Sequence, residues 1–415
     1  MTTISLRQAR IVLAVARGSS VTGAARAINR SQTSVTKSIQ DLERTLDVTL
    51  FDRSPRGVTL TVYGKALYRG ADEAANTFAR ALALIPASVA RESPGVARFF
   101  QMDVSEKWLD ALLATAEHQN LAAAAQHIQV TPAAVAASIR KLEDSLNVTL
   151  FERSPNAIAP TSFTSSLVSY VKLARTHLRH ACDEVASLKG TERGRVVIGS
   201  LPLIRTIVLP KAIARLRASH PSIDISTLEG PYDDLAAALR CGDIDLMLGA
   251  LRGDDSGGEL EEEVLFEDQL SIVVRAGHPL CGQKDVRFKE LLDYEWVMPR
   301  HRTPTRELVE SAMTSRNLPL PEHIVETSSL VVLRGLLVES DAVTALSRHQ
   351  VLFEEASGTL AALPIDLPET RRPIGITRRV AGSMPPAAEL LVREIHQALS
   401  ETDLLDTGYA VAARR

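Results

Sequence analysis

One stretch of this chain is written twice. The run from Leu42-Glu43 through Leu46, Leu50-Phe51 and Arg53 to Ser54-Pro55 returns one hundred positions later, without a gap, as Leu142-Glu143 through Leu146, Leu150-Phe151 and Arg153 to Ser154-Pro155. Self-similarity at a fixed offset predicts one folded unit present in two copies. The 415 residues leave room for two copies and one or two further domains, and a 45% hydrophobic content supplies ordinary soluble cores.

Charge is unevenly placed. Residues 1–90 carry twelve Lys/Arg against six Asp/Glu, residues 101–190 eight against nine, and residues 191–415 twenty-five against thirty-four. A basic leading module on an acidic body fits a nucleic-acid reader joined to a sensing domain. Three scattered cysteines, at 182, 241 and 281, give no disulfide framework or zinc knuckle and fit a reducing cytoplasm. The apolar run Ile11–Ala16 is too short for a signal peptide and is interrupted by Arg17, and no run approaches membrane-spanning length, so no membrane partner is expected.

In the first copy a helix ends near Gly18, and a short one runs from Val21 to Ile28 behind Ser20. Asn29-Arg30 turn the chain, and Ser31 caps a third helix to about Leu46. This is a helix-turn-helix order. At about 100° per residue, Val35, Ile39, Leu42 and Leu46 share one apolar face. Thr33, Thr36, Lys37, Gln40 and Arg44 project opposite, all able to hydrogen-bond and none acidic, with Gln32 at the N-terminal edge. Such a face suits a major groove. Residues 49–61 read as a β-wing around Pro55-Arg56-Gly57. Leu67, Ala71, Ala74, Phe78, Ala81 and Ile85 then form a heptad seam for pairing with another helix.

Residues 4–67 resemble the winged helix-turn-helix of LysR-type transcriptional regulators, through Ala24-Ala25, Ser31-Gln32, Val35-Thr36, Ile39, Leu42-Glu43, Leu46, Leu50-Phe51, Arg53, Thr61 and Gly64. The resemblance implies DNA contacts from Ser31, Gln32, Thr33, Ser34, Thr36, Lys37 and Gln40, with Arg53 and Arg56 from the wing. The helix that follows resembles the dimerisation linker of that family.

The second copy keeps the buried stripe as Val135, Ile139, Leu142 and Leu146 but changes the opposite face. Thr33, Thr36 and Lys37 become Ala133, Ala136 and Ala137; Gln32 becomes Pro132; Arg56 becomes Asn156. Arg140, Lys141 and Arg153 remain as weaker DNA contacts. Alanines make no bidentate base contacts, each worth roughly 1–3 kcal/mol of discrimination, so this copy is expected to keep the scaffold and lose the reading. A second heptad-like seam runs from Leu167 through Val171, Ala174, Leu178, Ala181 and Val185 to Leu188.

The remainder alternates strands and helices, implying parallel sheets covered by helices. Its expected strands include 196–198, 223–227, 244–248, 270–274, 296–298, 324–326 and 343–346. Helices are expected at 205–219, 234–241, 289–293, 305–315 and 330–338. Segments 359–364 and 373–377 are expected to return the chain to the first lobe. Glu261–Glu263 reads as solvated surface, Asp243 and Asp245 as a turn before a strand, and His278 as a loop residue. Residues 194–202, 239–246 and 276–280 resemble the two-lobed, periplasmic-binding-protein-like effector domain of the same family. Effectors of such sheets sit beyond strand C-termini against helix N-termini. This nominates Ser200, Leu201, Pro202, Arg205, Arg302, Thr303 and Thr305, with the arginines and Arg300 favouring an anion.

The fold expected is therefore two tandem, mainly α winged helix-turn-helix copies followed by an α/β two-lobed domain. The boundaries are 1–61 and 62–90 for the first module and linker helix, 101–161 and 162–190 for the second, 193–400 for the effector domain and 401–415 for a tail. The expected partners are double-stranded DNA, a small-molecule effector (a carboxylate, aromatic acid or sugar-type metabolite) and further copies of the chain as a homodimer or homotetramer, with RNA polymerase a candidate contact. No cofactor or metal is expected. An enzyme or ligand-binding scaffold on the two-lobed domain is the rival reading. Against the enzyme, the sequence offers no nucleophile–base–orienter set, metal cluster or phosphate loop.

Overall fold

A computed structural model describes residues 3–18, 20–54, 57–85, 94–154, 157–191, 193–253, 258–301 and 303–401. Arg56, Asn156, Arg302, residues 86–90 of the first linker and residues 402–415 of the expected tail lie outside these, as do the side chains of Arg53 and Arg153.

The first copy folds as helices Leu6–Gly18, Val21–Ala27 and Gln32–Leu46, a wing of β1 (Phe51–Ser54) and β2 (Gly57–Leu60), and a long helix Val62–Ala81. Ser20 and Ser31 cap their helices by accepting from the amides of Gly23 and Ser34, and Asn29 turns the chain in the left-handed region at φ 55°. The elements recur with every boundary shifted by one hundred up to the start of the long helix, which runs further in the second copy. Helices Glu106–His118, Leu121–His127 and Pro132–Leu146 lead to the wing β3 (Phe151–Ser154) and β4 (Ala157–Pro160), then the helix Ser162–Leu188. The repeated Leu-Glu pair has a structural cause. Glu43 accepts from the Leu50 amide at 2.8 Å, and Glu143 from the Leu150 amide at 2.9 Å, each fixing the start of its wing.

The two long helices pack against each other. Lys189, just past the end of one, donates to the Leu46 carbonyl and the Asp47 carboxylate. Those residues lie at the end where the other helix begins, so the pair runs antiparallel. All six positions of the first seam are buried, as are Leu167, Val171, Ala174, Leu178, Ala181 and Val185 of the second. Two linker expectations need correction: the first α-helix stops at Ala81 in a 3-10 turn, Leu82–Leu84, and Leu188 is exposed. A helix absent from the sequence reading, Pro94–Phe100, buries Val96, Phe99 and Phe100 and sets Phe99 5.4 Å from the Phe78 ring. One continuous apolar core spans both copies.

The remaining chain has two lobes. The first holds a five-stranded sheet in the order β6 (Ile223–Glu229), β5 (Gly194–Ser200), β7 (Leu246–Ala250), β14 (Arg372–Arg379), β8 (Leu260–Asp268). The second holds β12 (Thr344–Ser347), β9 (Leu270–Arg275), β13 (Leu360–Ala362) and the parallel pair β10 (Trp296–Met298) and β11 (Ile324–Glu326). Parallel pairing is therefore partial: β14 runs antiparallel to β7 and β8, and β9 antiparallel to β12 and β13.

Two further readings are corrected and two are extended. Glu261–Glu263 belongs to the nine-residue edge strand β8, where Glu261 pairs with Arg378 at 2.7 Å; acidic residues on a sheet edge hide the strand pattern while discouraging edge association. Segment 359–364 pairs with β9 in the second lobe, so only β14 returns. The helix expected from Arg205 begins at Val208, after a 3-10 turn Pro202–Arg205, and Phe288–Asp293 is likewise 3-10. His278 lies in a loop, as expected, and is buried there with Nδ1 accepting from the Leu280 amide. No helix among the described residues is long and apolar enough to cross a membrane.

Candidate DNA-reading face and effector cleft

The third helix buries Val35, Ile39, Leu42 and Leu46 and exposes Gln32, Thr33, Lys37, Gln40 and Arg44, with Thr36 and Ser34 half-buried. Arg44 is held by Asp41 at 3.0 Å. Lys37 forms no ion pair with any described residue, leaving its ammonium available at the centre of the face. Ser31 spends its hydroxyl on the helix cap, so its part in any phosphate contact falls to its neighbourhood of free amides. In the second copy Pro132, Ala133 and Ala134 are exposed and Ala136 and Ala137 half-exposed, while Arg140 and Lys141 remain exposed at the margin. The structure thus presents two like-shaped helices, one with donors and acceptors across its face and one with alanines there and donors only at the margin.

A buried polar knot ties the second long helix to the first lobe. Asp245 accepts from the Val197 amide at 2.8 Å, from His180 Nε2 at 2.8 Å and from Arg179 at 3.2 Å, while His180 Nδ1 faces the Ser383 carbonyl at 3.2 Å. Burial alone would raise the Asp245 carboxyl, but these donors hold it below the ordinary range. Asp243 pairs with Lys172 at 2.7 Å, and Thr176 donates to the Gly242 carbonyl. The pair lies in the turn before β7, as expected, and there also joins the helical head to the sensing domain.

At the cleft, Ser200 is buried at the C-terminal end of β5 and Leu201 donates to the Leu248 carbonyl. The turn Pro202–Arg205 packs on residues 348–350 of the second lobe. Ser200 caps no helix: its hydroxyl accepts from Arg205 Nε at 3.2 Å, and Arg205 also pairs with Glu229 at 3.1 Å. Thr303 donates to the Arg300 carbonyl, leaving no side-chain cap at the helix Pro304–Ser315. Thr305 accepts from Arg372, which pairs with the buried Asp268 on the crossing strand. The candidates therefore form two groups, one per lobe. Cavities of about 480 and 360 Å³ lie elsewhere, the second beside the crossing strands at Asp268, Arg348 and His349.

Sequence reasoning missed one constellation. Glu117, His118 and His127 bring their ligand atoms within 4.8 Å of one another. The signal was available in the repeat itself, since the first copy has Arg17, Gly18 and Ala27 at the matching positions.

With this geometry in hand, comparison with known proteins is decisive. The bacterial regulatory helix-turn-helix protein signature of the lysR family matches residues 6–65 and again 107–164, and the LysR substrate binding domain matches residues 189–400. The chain belongs to the LysR family of transcriptional regulators. It is 34% identical over 400 residues to the HTH-type transcriptional regulator GalR of Pseudomonas putida, covering 96% of this chain and 98% of that one. It is 29% identical to PcaQ of Agrobacterium fabrum over 71% of this chain and 94% of that protein. Full-length OxyR of Pseudomonas aeruginosa superposes with a TM-score of 0.54 at 22% identity, over 70% of this chain and 94% of that one. CbnR in complex with its target DNA gives 0.52 at 18% identity, over 71% and 100%. These two likenesses establish the shared fold. This LysR-family chain is an effector-responsive transcriptional regulator and not an enzyme.

Proposed function

We propose that this regulator carries a complete two-headed DNA-binding unit in one chain, with only the first head reading sequence. The observation that carries this reading is the antiparallel pairing of the helices Val62–Ala81 and Ser162–Leu188, whose apolar seams are buried against each other within a single protomer. A seam satisfied internally offers no apolar stripe to a second copy. Homodimers or homotetramers would then use other surfaces, and an RNA polymerase contact stays open to the same binding experiments.

Gln32, Thr33, Ser34, Thr36, Lys37 and Gln40 enter the major groove from the first head, flanked by Arg53 and Arg56 from the wing. The second head rests on phosphate through Arg140, Lys141 and Arg153. DNase footprints of wild type, Thr36→Ala with Lys37→Ala, and Arg140→Ala test the asymmetry. The double variant is expected to lose the specific footprint, and loss of Lys37 to lower the salt slope by about one. Arg140→Ala is expected to weaken binding without moving the footprint. Equal loss from both would remove the asymmetric assignment.

The effector sits between the lobes, near Ser200, Leu201, Pro202, Arg205, Arg302, Thr303 and Thr305. Arginine and hydroxyl groups there suit a carboxylate-bearing aromatic acid or sugar-type metabolite. Its differential affinity for open and closed lobes would be passed to the heads through the Asp245 knot. Titration with metabolite panels, read by intrinsic fluorescence and by footprint shift, identifies it. Arg205→Ala should weaken the hit.

A further inference from the structure

The second head has lost a reading face and acquired a cluster of metal-binding groups. We propose that Glu117, His118 and His127 form a site for a divalent transition cation of the zinc type, clamping the first two helices of the second head. Two imidazoles and one carboxylate with an open fourth position are a donor set that such cations take. Their ligand atoms already lie within 4.8 Å of one another, and the two imidazole rings have centroids 4.9 Å apart. Tetrahedral coordination with bonds near 2.0–2.1 Å needs ligand separations of about 3.3 Å. Glu117 and His127 are exposed and free to swing that far.

Three independent features point to an ion. The Nε2 atom of His118 is buried without any hydrogen-bond partner, a cost that a bound cation removes. The helices Glu106–His118 and Leu121–His127 both end at the cluster, so the negative ends of two helix dipoles converge there. The electrostatics around the site also favour a cation. Nearby Lys172 pairs with Asp243 and also feels the Glu117 carboxylate, and Arg175 pairs with Glu106 and Asp110, while Glu117 itself forms no ion pair with any described residue. Glu117 and His127 also line the cavity of about 480 Å³ shared with Lys172, Arg175 and Asp243, so a bound ion would sit at the joint of head, linker helix and first lobe.

The test uses the full chain, free of any affinity tag and stripped with a chelator, titrated with Zn²⁺ by calorimetry. One ion per chain is expected, with a rise in melting temperature. Co²⁺ should give the visible absorption of a tetrahedral nitrogen–oxygen site. Glu117→Gln and His127→Ala change exposed side chains and should fold normally, yet each should weaken binding by more than about a hundredfold, beyond the roughly 10–100-fold of losing only an outer partner. Binding unaffected by either substitution, or no binding at tens of micromolar Zn²⁺, overturns the proposal. Neither result bears on the DNA reading of the first head.

Discussion

Gly70 on the first long helix meets Ala181 on the second with no space between them: a β-carbon on Gly70 would lie 2.4 Å from that of Ala181 and 2.7 Å from the His177 carbonyl oxygen. The helices cross at this point because glycine lets the backbones approach. Gly70→Ala is therefore expected to force the pair apart at a cost of about 1–3 kcal/mol, the range for overpacked cores. Chemical denaturation of the full chain measures it. Gly335→Ala is the control. It also lies in a helix but would meet nothing within 4 Å, so it should be neutral or stabilising by up to about 1 kcal/mol.

If the second head is illiterate only because of its side chains, reading can be restored. Ala133→Thr, Ala136→Thr and Ala137→Lys copy the first face onto a helix whose buried stripe, cap and wing contact are already equivalent. The triple variant should extend the footprint to a second half-site and raise specific affinity by the roughly 1–3 kcal/mol of a good base contact. Gel shift on synthetic half-site pairs reads this directly. An unchanged footprint would mean that the second head is turned away from the duplex.

Much of this arrangement was legible from the chain because the repeat let each copy check the other. A buried stripe that persists while its opposite face turns to alanine separates scaffold from function without a structure. The pairing of the two linker helices was harder to read. A heptad seam announces that a helix has a partner, and only the fold shows that the partner is in the same chain. Strand β8 was hidden because Glu261, Glu262 and Glu263 occupy a sheet edge, where solvent tolerates charge on both faces. The joint made by Asp245, beyond its turn, was hidden for another reason: its partners His180 and Arg179 lie 65 and 66 positions away, beyond any local pattern.

Asp245 supplies a third prediction. Replacing it with alanine leaves His180, Arg179 and the Val197 amide facing a buried site with no acceptor. Removal of one member of a buried ionic knot typically costs about 3–5 kcal/mol. Asp245→Ala should fall in that range, and it should loosen the effector domain from the head. Hydrogen exchange would then show faster exchange along residues 176–183 with little change in the helix Gln32–Leu46. Uniform destabilisation of the whole chain would deny the knot its role as a joint.

The last prediction concerns acidity at the same joint. Burial drives the His177 imidazole down to about 3, helped by Arg379, His180 and Arg80. Burial likewise pushes the Asp183 carboxyl up to about 6, with Asp245 adding to the shift and Arg179 opposing it, and Asp183 Oδ2 has no hydrogen-bond partner. The two act in opposite senses. His177 is harder to protonate folded than unfolded, so its contribution is present above its ordinary value of 6.5 and is lost as pH falls towards about 3, with a limiting slope of about 1.4 kcal/mol per pH unit. Asp183 is harder to ionise folded, so its contribution is present below its ordinary value of 3.8 and is lost as pH rises through about 6. Between those values the slopes offset one another in the wild type. Asp183→Asn removes one of them. The variant should melt higher than wild type at pH 7.5 and converge with it near pH 4, and its stability should climb with pH across the interval where the wild type is nearly level. Melting curves over that range decide the matter, and a variant that melts lower at pH 7.5 would show that the Asp183 carboxylate is stabilised in place instead of strained.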